Sequence, residues 1–252
     1  MTNPKQEKNV FFDISKLPKG WGMIVFPISM SRILKDQSAD KVFDHLRMFQ
    51  PDKINENKVG ITLLYSDGLY EWKKDEEYIS RKNSLAFINN HRNAYLNQIS
   101  KNSFEFQIKD AFDFISWNQI SISTNDFMDK YNKCLSLAKE DEKFLDLIKE
   151  DCKDFNRDFD ENQMNFFLEE IIVFYLITKM KVVFNNVYTE NREEWALLAY
   201  PGKPLKSMVY FFQKNILGLN NTGNKYENSW YDLSEKKLIE FDRVDLETYK
   251  VK

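Results

Sequence analysis

An α/β fold, with a mostly parallel sheet in a single domain and helices on both faces, is predicted by three observations. Two continuous apolar runs, WGMIVFPIS at 21–29 and VGITLLY at 59–65, have the length and composition of strands buried on both faces. Between them Val42, Phe43, Leu46 and Phe49 recur at a helical period over 40–50, and strand, helix, strand is the unit of a parallel sheet. At 252 residues the chain has the size of one α/β domain with a sizeable core.

The remaining elements follow in order. Residues 1–20 are polar and end in LPKGWG, a lead-in segment; the first strand stops at Pro27, and Ser29 follows at once. After SDGLY at 66–70, a charged stretch leads into a long helix over about 76–99. Alternation at 104–108 predicts a strand, and 112–120 brings the chain to another apolar stop. Helical patterns occupy 125–138, 141–156 and 161–180. A short strand at 194–199 is closed by Tyr200-Pro201-Gly202, and a further helix starts near 205. Beyond 215 the chain is polar and Asn-rich, with no pattern that places it. The expected division is a lead-in at 1–20, a main domain at 21–214 and a C-terminal extension at 215–252 packed on the same domain.

Composition excludes several classes. A net charge of -3 gives no global attraction to nucleic acid or an anionic membrane, so a polyanion must be met by a local basic patch. The start MTNPKQEKN lacks the basic and then apolar pattern of a secretory signal, and the apolar run around Phe166 is too short and carries two acids. A cytoplasmic location without membrane contact is expected. Cys134 and Cys152 stand apart without a CxxC, which argues against a disulfide framework or a metal site. Neither GxGxxG nor GxxxxGK[ST] occurs, so no nucleotide cofactor is expected. His45 and His91 are the only histidines, too few for a HIGH-type signature or a multi-histidine centre.

Two features point to a site. In an open parallel sheet, ligands bind beyond the carboxyl ends of the strands, where strand order reverses. Ser29, the Tyr65-Ser66-Asp67 stretch and Tyr200 all follow or end predicted strands. The second feature is NFFLEEIIVFYLIT at 165–178, where two carboxylates interrupt an apolar helix. At 100° per residue Glu170 shares a face with Phe166, Phe167, Val173, Phe174 and Ile177, so packing that face buries a carboxylate. Such a group requires a partner, a ligand or a raised pKa, which points to a pocket. The alternative is a rim helix whose Glu pair reaches solvent or meets a lysine. Adjacent helical residues diverge by 100°, so Glu169 cannot share a site with Glu170.

The order of these elements resembles the tRNA-dependent cyclodipeptide synthases. The likeness runs through a strand ending in Ser29, a strand followed by Ser66-Asp67-Gly68-Leu69-Tyr70, and the step Ser116-Trp117-Asn118. It continues through Phe166-Phe167-Leu168-Glu169-Glu170 and the strand end Tyr200-Pro201-Gly202, spanning roughly 20 to 212. Arg32 stands three residues after Ser29, where one branch of the family has Asn, so the chain resembles the other branch, marked by Tyr-Pro.

The resemblance implies a Rossmann-like catalytic domain similar to that of class I aminoacyl-tRNA synthetases. It also implies a ping-pong aminoacyltransferase that joins two amino acids from aminoacyl-tRNA into a diketopiperazine without ATP. Ser29 would be the acyl-accepting nucleophile. Glu170 would hold the α-ammonium and relay protons, and Tyr200 would supply an orienting hydroxyl on a turn fixed by Pro201. Val25, Pro27, Val173 and Leu198 would line the side-chain pocket, with Tyr65 and Phe166 at its edges. The tRNA would meet Arg81, Lys82 and Arg92 on the 76–99 helix, and Lys203 and Lys206 past Tyr200. A monomer is expected, with no cofactor and no metal. Pro27 stands where the family usually has Gly, and Phe166 where it usually has Tyr. These departures motivate a second reading, a non-catalytic aminoacyl-tRNA or RNA binder of the same fold. A third is a Rossmann-like serine acyltransferase, which would need His45 or His91 beside Ser29.

Overall fold

The computed structural model describes residues 21–47, 59–72, 81–101, 112–182, 193–219 and 223–251. The first half runs β1 (Gly22–Ile28), α1 (Ala39–Arg47), β2 (Val59–Tyr65), a 3₁₀ turn (Gly68–Trp72), α2 (Arg81–Lys101) and β3 (Phe112–Ser116). Four helices follow, α3 (Trp117–Ser123), α4 (Phe127–Glu140), α5 (Glu142–Asp154) and α6 (Glu161–Thr178). The chain then forms β4 (Trp195–Tyr200), α7 (Lys206–Gln213), β5 (Ser229–Asp232) and β6 (Lys237–Glu240), and ends in a small pair, β7 (Val244–Asp245) with β8 (Lys250–Val251).

The main sheet has six strands in the order β3-β2-β1-β4-β5-β6. Strands β1 to β5 are mutually parallel and β6 runs antiparallel to β5. The chain steps outward from β1 to β3 and then returns to the far side of β1, so the order reverses between β1 and β4. The crevice beyond the ends of these two strands is where such sheets bind ligands. With this strand order, crossovers of the usual right hand put α1 and α2 on one face and α3 to α7 on the other. The packing agrees, with α1 on α2, α4 on α6, α5 on α7, and α6 on β4. The predicted fold class is the observed one.

Burial explains which elements the sequence announced. Every residue of β1 and β2 is buried, as strands covered on both faces must be. Helix α6 is buried on nearly every side because it lies between the sheet and the outer helices, and this accounts for its unbroken apolar run. The 112–120 run divides, giving β3 as far as Ser116 and α3 from Trp117. The predicted strand at 104–108 lies outside the described residues. The segment beyond 215 contributes β5 and β6 to the main sheet, which its short four-residue strands did not reveal.

Pro27 occupies a central strand without breaking a ladder. Ile28 turns its carbonyl to Ser66 on the β2 side, so the backbone groups of Pro27 face β4. There the β1–β4 pairing ends at Val25 and Leu198, and no partner strand is left to miss the absent N–H. The buried Gln37 side chain fills the gap, donating from Nε2 to the Pro27 carbonyl (2.8 Å) and accepting from the Ser29 N–H through Oε1 (2.8 Å). One amide thus pins the first residue beyond β1.

Candidate active site

Ser29 begins the turn that leaves β1, and its hydroxyl enters a cluster of three. Ser29 Oγ lies 2.5 Å from Tyr70 Oη and 3.1 Å from Ser31 Oγ, and Ser31 Oγ lies 2.6 Å from the same phenol. Tyr70 reaches across because the end of β2 is tied down. Ser66 donates to the Ile28 carbonyl from both its N–H and its hydroxyl, each at 3.0 Å. Asp67 accepts from Ser116 Oγ at 2.9 and 2.8 Å and from the Trp117 N–H at 3.0 Å. Gly68 leaves the space that Asn118 occupies, since a Cβ there would stand 2.1 Å from Asn118 Oδ1. The Ser-Asp-Gly-Leu-Tyr and Ser-Trp-Asn motifs are therefore one contact seen from two strand ends.

Arg32 fastens the same turn to the end of β4. Its Nε donates to both Asp36 carboxylate oxygens at 2.9 Å, and its Nη1 donates to the Pro201 carbonyl at 3.0 Å. The guanidinium carbon lies 4.9 Å from the centroid of the Tyr200 ring, a cation–π contact. Burial pushes the Tyr200 phenol above its usual pKa; Arg32 opposes this and the Glu170 carboxylate adds to it. The phenol is therefore neutral at physiological pH and able to donate a hydrogen bond. Gly202 follows with φ +122°, which a side chain disfavours, and its N–H donates to Asp232 Oδ1 at 3.1 Å.

A cleft of about 480 Å³ opens at this point, and Ser29, Glu170 and Tyr200 all line it. Its apolar wall comes from Phe155, Phe166, Phe167, Leu205, Met208 and Trp230, and its cations are Arg32, Lys35, Arg157 and Lys203. Arg157 lies over the Phe166 ring at 5.2 Å. Asp151 of α5 sets the far wall by capping α7. It accepts from the Lys206 and Ser207 N–H groups at 2.9 Å each and from Ser207 Oγ at 2.5 Å.

The Glu pair divides as the helical geometry requires. Glu170 faces the cleft, while Glu169 accepts from two indoles, Trp72 Nε1 at 2.6 Å and Trp117 Nε1 at 2.9 Å. Through these two indoles Glu169 clamps α6 to the 3₁₀ turn and to α3. Because Trp117 is fully buried, Glu169→Ala leaves an indole N–H without that acceptor. The expected cost is about 2–4 kcal/mol of unfolding free energy, measurable by urea denaturation. Glu169→Gln keeps an acceptor and should lose less.

Several expected lining residues sit elsewhere. Val25, Val173 and Leu198 are 0% exposed and belong to the core behind the cleft, because strand and helix residues that face the sheet interior cannot also face the crevice. Pro27 is likewise enclosed in β1, and the buried Pro201 contributes its carbonyl to Arg32. Tyr65 is buried with its hydroxyl 2.9 Å from His91 Nδ1. Phe166 does line the cleft.

The basic residues divide too. The side chains of Arg81 and Lys82 lie outside the described residues. Arg92 is exposed over the Phe114 ring, at 5.1 Å, and lines a separate hollow of about 540 Å³ between α2 and α3. Lys203 is exposed at the cleft rim. Lys206, expected to meet tRNA, is engaged by Glu150 and Asp154, each at 3.1 Å. His91, on the helix read as a basic stripe, is buried, with Nε2 2.9 Å from the Gln37 carbonyl. Sequence reasoning missed Gln37, Ser31 and Arg157 as parts of the site, and it named Tyr70 only as the end of the Ser66–Tyr70 motif, with no role. Ser31 and Gln37 lie on the turn that follows Ser29, whereas Tyr70 and Arg157 reach the cleft from elements distant in the chain.

Among the described residues no helix is long and apolar enough to cross a membrane. No protein-family model matches the chain, and no curated protein matches it either. Solved structures do. A CDPS from Fluoribacter dumoffii superposes with a TM-score of 0.51 at 14% identity, over 86% of this chain and 90% of that one. A cyclodipeptide synthase from Streptomyces noursei gives 0.48 at 12% identity, over 75% of this chain and 88% of that one. A Mycobacterium tuberculosis protein, described as relating cyclodipeptide synthetases to type I tRNA synthetases, gives 0.49 at 15%, over 75% and 77%. At 14% identity, the likeness to the Fluoribacter dumoffii structure establishes a shared fold.

Proposed function

We propose that this chain is a tRNA-dependent cyclodipeptide synthase of the Tyr-Pro branch, acting through an aminoacyl ester on Ser29. The observation that carries this reading is that one open cleft at the switch point collects Ser29, Glu170 and Tyr200, from the end of β1, the middle of α6 and the end of β4. The fold shared with the Fluoribacter dumoffii CDPS supports it. Ser29 Oγ attacks the ester carbonyl of a first aminoacyl-tRNA, and the ribose oxygen leaves with a proton. The amine of a second aminoacyl-tRNA then attacks the Ser29 ester, which frees Ser29 and leaves a dipeptidyl-tRNA. The first residue's amine closes on the remaining ester, releasing the second tRNA and a six-membered ring. Each step exchanges one acyl bond for another, so no nucleotide triphosphate is consumed.

Glu170 binds the α-ammonium of the first aminoacyl group and takes its proton before ring closure. Tyr200 donates to the acyl oxygen as charge develops there. An activated ester asks less of the nucleophile than an amide, so a His is not required. His91 is committed to Tyr65 and Gln37, and neither His91 nor His45 lines the cleft, which disfavours a Ser-His acyltransferase. The open cleft disfavours a binder that has lost its pocket. Mass spectrometry of medium from cells expressing the protein should reveal diketopiperazines that vanish with Ser29→Ala. Identical spectra from wild type and variant would remove the proposal.

The tRNA is met by Arg81, Lys82, Arg92 and Lys203 in this reading. Replacing these four with Ala should flatten the log–log salt dependence of tRNA affinity by roughly one unit per lost phosphate contact. Lys206→Ala, whose partners are Glu150 and Asp154, should leave the slope unchanged. Equal slopes for wild type and the quadruple variant would place the RNA elsewhere.

A further inference from the structure

We infer that Tyr70 is a catalytic residue of the acylation step, holding Ser29 Oγ for attack and passing its proton on through Ser31. The inference rests on the reading of Ser29 as nucleophile given above. It starts from the three hydroxyls of Ser29, Tyr70 and Ser31, which lie 2.5, 2.6 and 3.1 Å from one another. Each hydroxyl carries one proton and has lone pairs to accept another, so a triangle of this kind can circulate protons without any member becoming charged. The Ser31 N–H also points to the Tyr70 oxygen, at 3.3 Å.

The supports of Tyr70 are rigid and independent of Ser29. Its ring is 2% exposed and packs edge to face on Phe166 with centroids 5.4 Å apart. The 3₁₀ turn that carries it is held at one end by Ser66 and Asp67 and at the other by Trp72 on Glu169. The phenol is thus brought to the nucleophile by three fixed points, while the adjacent Phe166 ring, which shares the cleft, supplies no hydroxyl.

Ser29 Oγ forms a bond to the ester carbonyl carbon as its proton moves to Tyr70 Oη. The Tyr70 proton moves to Ser31 Oγ, and the Ser31 proton leaves with the departing ribose oxygen. One C–O bond forms, one breaks, and the three hydroxyls end with Ser29 acylated and Tyr70 and Ser31 protonated as before. Burial raises the phenol pKa while the Ser29 and Ser31 hydrogen bonds lower it, and the net shift is upward. A neutral phenol suits a relay better than a tyrosinate base.

The test follows acylation of Ser29 in single turnover, by intact-protein mass spectrometry, with two donors: an aminoacyl-tRNA and a small activated aminoacyl ester without tRNA. Tyr70→Phe keeps the ring and its packing and should cut the maximal acylation rate by about 10²-fold with both donors. The donor concentration at half-saturation and the tRNA affinity should stay unchanged. Ser31→Ala should cut the rate less, since Tyr70 still holds Ser29. A folded Tyr70→Phe protein that acylates at the wild-type rate overturns the role of Tyr70 and leaves the function intact. Wild-type labelling by the small ester but not by aminoacyl-tRNA, with the small-ester rate still falling in Tyr70→Phe, overturns the tRNA reading and sustains the role of Tyr70.

Discussion

Ser29→Ala is expected to remove both the covalent aminoacyl adduct and the cyclic product, a loss of at least about 10³-fold. The substitution deletes the acyl-accepting oxygen and little else. Ser29 is partly exposed, its backbone N–H stays on Gln37, and the Tyr70 and Ser31 hydroxyls remain 2.6 Å apart. Fold stability and tRNA affinity should therefore match the wild type. With radiolabelled aminoacyl-tRNA, the wild-type protein should retain label after denaturation and the variant should not. Equal labelling would transfer the nucleophile elsewhere in the cleft.

Glu170→Gln is expected to lower product formation by about 10²–10³-fold, while Glu169→Gln keeps most of the activity and loses stability instead. Gln matches Glu in size but neither pairs with an ammonium as a charge nor takes up its proton. The contrast follows from geometry: Glu170 lines the cleft with Ser29 and Tyr200, whereas Glu169 is spent on Trp72 and Trp117. Product yield and urea midpoint should thus move in opposite members of the pair. Loss of activity only in Glu169→Gln would reverse the assignment of the two carboxylates.

The division of the Glu pair was legible before any coordinates, because 100° per residue is fixed by the helix and the surrounding apolar residues mark its buried faces. Strands β1 and β2 were legible for a similar reason, since full burial on both sides of a parallel sheet writes an unbroken apolar run. The last strands were not. β6 is an edge strand of four residues with only Ile239 buried, so it carries neither length nor alternation strong enough to mark it.

Parts of the site that depend on distant partners were equally hidden. Tyr70 and Ser29 are 41 residues apart, and although both follow predicted strand ends, no local pattern shows that the phenol turns onto the serine. Arg32 read only as a branch marker, yet it bridges the ends of β1 and β4 through Pro201 and Tyr200. The ion pairs of Lys206 were hidden in the same way, because its partners, Glu150 and Asp154, belong to α5. The pocket walls were misplaced for a different reason. Val25, Val173 and Leu198 are near the site in sequence, but side chains within a doubly covered sheet and its inner helix point into the core.

The central claim is that this cleft moves aminoacyl groups from tRNA to Ser29 and then into a ring. The most direct test incubates the purified protein with a full set of aminoacylated tRNAs, without ATP, and examines protein and small molecules by mass spectrometry. An aminoacyl adduct on the peptide containing Ser29 and a diketopiperazine that accumulates over many turnovers are expected. A folded, tRNA-binding protein that yields neither adduct nor cyclic dipeptide would contradict the claim.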